Sequence, residues 1–100
     1  MEKNRGNKAS EQSALVATRD GIYPDVRNGT VSMKKGEVWK YGQTHRPLER
    51  YSQGYLLSMG VKKETEFVGL PDEVLIVEKL KLYGYYLEHG HLPPRNKIFR

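Results

Sequence analysis

A small α+β fold is what these 100 residues predict: an antiparallel three-stranded sheet flanked by helices, in the order strand, strand, helix, strand, helix, tail. Three observations carry that expectation. Residues 21–42 are rich in Ile, Tyr, Val and Trp and hold an Asn28-Gly29 pair, the strongest short-range hairpin signal. Apolar residues recur at helical spacing in two separate stretches, 47–59 and 71–89. Between them lies Lys63 to Val68, a short β-rich run flanked by charge.

Residues 1–19 mix Asn, Lys, Glu, Gln and Ser with one apolar patch, Ala14-Leu15-Val16-Ala17, and read as a flexible leader or linker, so the folded domain is expected over 20–100. Gly21-Ile22-Tyr23 opens the first strand, Thr30 to Met33 pairs back across the Asn28-Gly29 turn, and Lys34-Lys35-Gly36 leads into a second strong strand, Glu37 to Gly42. Residues 21–42 thus read as an antiparallel meander. Pro47 suits a first helical turn, and Leu48, Tyr51, Tyr55, Leu56 and Met59 follow as an amphipathic stripe that Gly60 terminates. Lys63 to Val68 belongs at a sheet edge. The second helix opens at Pro71-Asp72-Glu73, where carboxylates suit the positive end of the dipole, and runs to about His89. Ile76, Leu80, Tyr83 and Leu87 form the stripe expected to face the sheet. After Gly90 the pair Pro93-Pro94 forbids helix, and Ile98 and Phe99 offer an apolar anchor.

Composition narrows the function. The length suits one domain, and with no cysteine there is no disulfide, no thiolate metal site and no cysteine nucleophile. No apolar run approaches the roughly 20 residues that cross a bilayer, so a membrane partner is not expected. Seventeen Lys and Arg against twelve Asp and Glu give +5, a balance that favours polyanions.

Single residues carry little chemistry by themselves. Arg50 falls on the polar face of the first helix. Glu78 is harder to dismiss, because it interrupts Val74-Leu75-Ile76-Val77 and Leu80 in the most apolar stretch, where an unpaired carboxylate is costly. With no cysteine and three scattered histidines, a hard divalent cation bound through oxygen is the natural metal.

Gly21-Ile22-Tyr23 on one strand, Lys40-Tyr41-Gly42 on a second, Arg50 eight residues past that glycine, Glu78 in the second helix and Asn96 in the tail together resemble the GIY-YIG endonuclease superfamily over about residues 20–100. Trp39 to Thr44, Arg50 to Gln53 and Leu92 to Lys97 look most like the C-terminal nuclease domains of bacterial polymorphic toxins. The resemblance implies a GIY-YIG-like fold and one-metal hydrolysis of DNA phosphodiesters. Glu78 would hold Mg2+ or Mn2+, Arg50 would grip the scissile phosphate, Tyr23 would orient or deprotonate the attacking water, and Asn96 would fix the geometry by hydrogen bonding. It also implies delivery into a target bacterial cell as part of a larger effector, and an acidic immunity protein as inhibitor.

The chain departs from the family pattern in three places. Lys40 stands where the second motif has tyrosine, with Tyr41 one step later. Strand alternation sends the two to opposite faces, and Lys40, which keeps the motif's register, is taken as the site residue while Tyr41 packs against a helix. The hairpin lengthens the loop between the motifs. Four residues beyond Arg50, where many relatives carry histidine, stands Gly54. A non-catalytic nucleic-acid-binding module, or a ribonuclease using the same residues, are the alternatives. Tyr83 and Tyr86 suit a core, His45, His89 and His91 lack ligand-like spacing, and Lys34 and Lys35 suit a solvated hairpin tip.

Overall fold

The computed structural model describes residues 9–44 and 53–96. Its elements are β1 (Ser10–Ala17), β2 (Gly21–Asp25), β3 (Gly29–Met33), β4 (Val38–Thr44), α1 (Gln53–Met59), β5 (Val61–Gly69) and α2 (Pro71–His89). The fold is α+β with a three-stranded antiparallel sheet, in the order β4-β1-β5. A second sheet holds only β2 and β3, paired antiparallel with Tyr23 opposite Val31.

The stretch expected to be a leader supplies the centre of the main sheet. All eight residues of β1 are buried, and both of its edges are paired, so its backbone is satisfied on either side. Its polar half finds side-chain partners on β5. Glu11 forms an ion pair with Lys63 and accepts the Thr65 hydroxyl at 3.2 Å, and Gln12 Nε2 donates to Glu66 Oε1 at 2.9 Å. A Ser-Glu-Gln-Ser run has no period-two apolar alternation, which is why the usual strand signal is silent here.

Each neighbour of β1 carries one extra residue. Against β4 the register steps from Leu15↔Lys40 to Val16↔Val38, leaving Trp39 over; against β5 it steps from Gln12↔Phe67 to Ser13↔Thr65, leaving Glu66 over. Such bulges re-aim a side chain. Trp39 is fully buried and joins Leu15, Ala17, Tyr23, Met33, Leu56 and Val61 in the core, with its Nε1 donating to the Pro24 carbonyl at 2.9 Å. This contact ties the separate hairpin to the main sheet. The meander expected over 21–42 is therefore divided, because β4 leaves the hairpin to pair with β1.

β5 does lie at an edge, longer than expected, and its outer half is guarded by charge, with Lys62 Nζ 3.2 Å from Glu64. Gly29, Gly60 and Gly90 adopt left-handed φ of 87°, 74° and 83° at the hairpin turn and the two helix ends, as their positions in the sequence imply. Pro47, Leu48 and Tyr51 at the expected start of the first helix, and Ile98 and Phe99 in the tail, lie outside the described residues.

α2 has the expected ends but presents a different face. The buried positions are Val74, Glu78 and Leu82, at i, i+4 and i+8, while Leu80 is 63% and Leu87 79% exposed. Ile76 and Tyr83 are exposed with them. The stripe expected against the sheet thus points away from it. Both stripes are apolar, so periodicity alone does not choose between them; the narrow sheet takes the one that contains Glu78. Among the described residues no helix is long and apolar enough to cross a membrane.

These assignments can be checked by truncation of side chains. Leu15→Ala, in the supposed leader, is expected to lower unfolding free energy by about 2–5 kcal/mol. Leu87→Ala, in the supposed core stripe, should stay within about 0.5 kcal/mol of wild type in the same urea titration.

Candidate functional site

The positions singled out in the sequence fall into three structural environments, and Arg50 lies outside the described residues. His45 does too. Tyr23 sits in the middle of β2, only 2% exposed, with its ring centroid 6.5 Å from that of Trp39. Its hydroxyl donates to the Gly60 carbonyl at 2.8 Å and lies 2.9 Å from that of Arg19. So placed, the phenol locks the hairpin to the turn between α1 and β5. It has no open path to water.

Lys40 and Glu78 are separated by the sheet. The Tyr41 ring meets the Tyr85 ring of α2 edge-on, at 6.4 Å and 83°, so Tyr41 points toward α2. Lys40, its neighbour on an extended strand, points to the other face, along with its register partner Leu15. Glu78 is 5% exposed in the buried stripe of α2, on the Tyr41 side. The structure therefore groups Glu78 with Tyr41, the residue expected to pack against a helix, which it does.

Asn96 acts on the same strand from its outer edge. Its Oδ1 accepts the Tyr41 N–H at 2.8 Å and its Nδ2 donates to the Tyr41 carbonyl at 3.0 Å, reproducing with one amide the pair of bonds a further strand would make. Arg95 continues the pattern, its N–H donating to the Trp39 carbonyl at 3.0 Å and its guanidinium lying 5.6 Å from the Trp39 ring centroid. The β4 edge is thus closed by the tail. Three residues that carry this arrangement had no recognisable signal in the sequence. Arg27 donates to the carbonyls of Leu92, Pro93 and Asn96 and so holds the tail against the hairpin. Gln12 and Glu66 bring a polar cluster under α2, where Lys81 Nζ lies 3.7 Å from Glu66. All three owe their roles to long-range contacts.

No protein-family model, curated protein or solved structure matches the chain. The chemistry must then be weighed on the residues themselves. Among the described residues no group of three His, Asp or Glu side chains is placed to hold a metal. Glu78 offers one hard oxygen donor, compatible in kind with magnesium, which takes one or two carboxylates and otherwise keeps water and substrate oxygens.

Tyr41 is a weak candidate for a base. Burial raises its pKa above the ordinary phenol value, and the negative charge of Glu66 and then Glu88 adds to the rise. Tyr85 is shifted the same way, by burial first and then by Glu37, with Arg27 opposing. At neutral pH both phenols keep their protons and have an O–H to donate.

Two outcomes follow. Asn96→Ala should cost about 1–3 kcal/mol in chemical denaturation, since it strips partners from both backbone groups of Tyr41. Alkaline pH should unfold the chain through the two phenols. The unfolded state releases these protons first, near pH 10, so stability holds below that value and falls as pH rises toward the higher folded-state pKa. Urea midpoints measured at rising pH should show that decline, and Tyr41→Phe should make it shallower.

Proposed function

We propose that this chain is a metal-dependent endonuclease that hydrolyses DNA phosphodiesters, as its resemblance to the GIY-YIG superfamily implies. The observation that carries the reading is Glu78, a carboxylate kept in the buried stripe of α2 on the same side of the sheet as Tyr41 of the Lys40-Tyr41-Gly42 motif. A carboxylate at such a position costs stability that leucine would not, and functional sites are where that cost is commonly retained. In this reading Glu78 holds Mg2+ or Mn2+, which neutralises the phosphate, and Arg50 grips the phosphate through its planar donor fork. Tyr41 takes the place of Tyr23, as a proton donor to a phosphate or water oxygen. Asn96 keeps Tyr41 in position. Lys40, on the opposite face, contributes through long-range charge and not through contact with the reacting atoms.

The excess of basic residues supports DNA as partner, and supports an acidic immunity protein as the inhibitor of a toxin domain delivered into a bacterial cell. A second reading is favoured by two observations: the Tyr23 hydroxyl is consumed by backbone carbonyls, and Lys40 and Glu78 occupy opposite faces. It is a nucleic-acid-binding module without catalysis.

Supercoiled plasmid incubated with the purified chain and Mg2+ separates the two. The nuclease reading expects nicking or linearisation that EDTA stops, lost by about 10²-fold or more in Glu78→Gln and retained in Tyr23→Phe. Salt-dependent binding with no cleavage under Mg2+ or Mn2+ would leave the binding module. A parallel RNA substrate tests the ribonuclease alternative.

A further inference from the structure

Away from Glu78, the C-terminal end of α2, β4 and the hairpin enclose an open cavity of about 410 Å3. Its size falls within the roughly 300–1,000 Å3 of small-molecule sites. Its lining is of three kinds. Four rings border it: Tyr85 lies against His89 at 4.1 Å and 32° and meets His91 at 5.9 Å and 64° and Tyr41 at 6.4 Å, edge-on. Two carboxylates, Glu37 and Glu88, stand at its rim from different elements. Apolar wall comes from Val31 and Met33 of β3.

This lining opposes the charge of the whole molecule. The chain carries +5, yet at Tyr85 burial first, and then the charges of Glu37, Asp25 and Glu88, hold the phenol pKa up against one opposing cation. That cation, the Arg27 guanidinium, is spent on three tail carbonyls and lies 3.8 Å from Asp25. A phosphate or carboxylate ligand would meet repulsion beside Glu37 and Glu88. A cation would meet aromatic rings and two carboxylates, the combination that recognises ammonium and guanidinium groups. Glu37 already accepts the Lys34 N–H at 2.9 Å through one oxygen, and Glu88 lies 3.8 Å from His89 Nε2.

We propose that this cavity is a binding site for an organic cation, a guanidinium or ammonium group carried on an aliphatic stem. The cation lies among the rings of Tyr85, His89 and His91, with Glu37 and Glu88 balancing its charge. The stem lies along Val31 and Met33. Such a group occurs on free polyamines and on protein arginine side chains, and the shared chemistry is what the cavity selects.

Aromatic NMR spectra of the intact chain, titrated with agmatine, spermidine, N-acetyl-arginine amide and deoxyadenosine monophosphate, test this. Agmatine is expected to shift the Tyr85 and His89 ring signals saturably, and the nucleotide is not. Saturation by the arginine amide as well points to a protein side chain as a source; saturation by agmatine and spermidine alone points to a free amine. Glu88→Gln, at an exposed position, should weaken binding about two- to fivefold, as loss of one screened ion pair does. Tyr85→Leu, which keeps apolar volume, should weaken it about two- to thirtyfold. The proposal is overturned if none of the three cations saturates the shifts at millimolar concentration, if the nucleotide binds more tightly than agmatine, or if Glu88→Gln binds agmatine as wild type does. Glu88→Gln leaves Glu78, Tyr41 and the Tyr85 ring against it in place, so with that variant loss of binding here and loss of DNA cleavage are read separately.

Discussion

The fold depends on a central strand that is polar for half its length and buried for all of it. Ser10 to Ser13 enter the interior as part of β1, and each polar group taken from water without a partner would cost a few kcal/mol. The bulge in β5 is the solution on one side. By inserting Glu66 between the residues paired with Gln12 and Ser13, it brings a carboxylate to the Gln12 amide and keeps Lys63 and Thr65 over Glu11. The bulge in β4 does the complementary work on the apolar half, leaving Trp39 to reach the hairpin. One strand thus sets where both layers of side chains go.

The same economy closes the sheet. With β4 at an edge, its outward backbone groups would be open to another chain. The tail covers them through Asn96 and Arg95, and the tail itself is fastened by Arg27 and by the Val26 N–H donating to the Pro94 carbonyl at 2.8 Å. A residue chosen from the sequence as a site candidate, Asn96, is therefore also a structural clamp. The two roles are compatible, since a side chain that fixes the Tyr41 backbone also fixes where its phenol points.

What was legible in the sequence was what neighbouring residues decide. Asn28-Gly29, Gly60 and Gly90 mark turns through left-handed backbone that glycine supplies at little cost, and Pro71-Asp72-Glu73 opens a helix whose Glu73 carboxylate accepts the Leu70 N–H at 3.0 Å. The rest depends on partners far along the chain. Ser-Glu-Gln-Ser becomes a strand because Lys63, Thr65 and Glu66 arrive as partners for Glu11 and for the Gln12 amide nitrogen. The buried stripe differs from the expected one: Ile76, Leu80 and Leu87 are apolar enough to be a core, but tertiary packing buries Val74, Glu78 and Leu82. Register with the motif points to Lys40, whereas the side of the sheet on which α2 packs is a tertiary fact that favours Tyr41. Of the proposed site, the acid and its motif strand could be named in advance; which of the strand's side chains faces that acid could not.

Charge divides the molecule more sharply than its total suggests. An overall +5 draws polyanions to the surface, but screening in salt confines each patch to about 10 Å, so local groups decide what a given surface admits. Lys40 lies on the face turned from α2, while Glu37 and Glu88 border the cavity at the C-terminal end of α2. A phosphodiester backbone tracking the first surface would be repelled by the second. The carboxylates of Glu37 and Glu88 turn a phosphate from their side of the cavity, while on α2 the exposed Leu80 has the exposed Lys79 beside it. The apolar stripe lies on α2 and the cavity borders its C-terminal end, so the helix serves two surfaces besides its buried one, and the buried one carries Glu78.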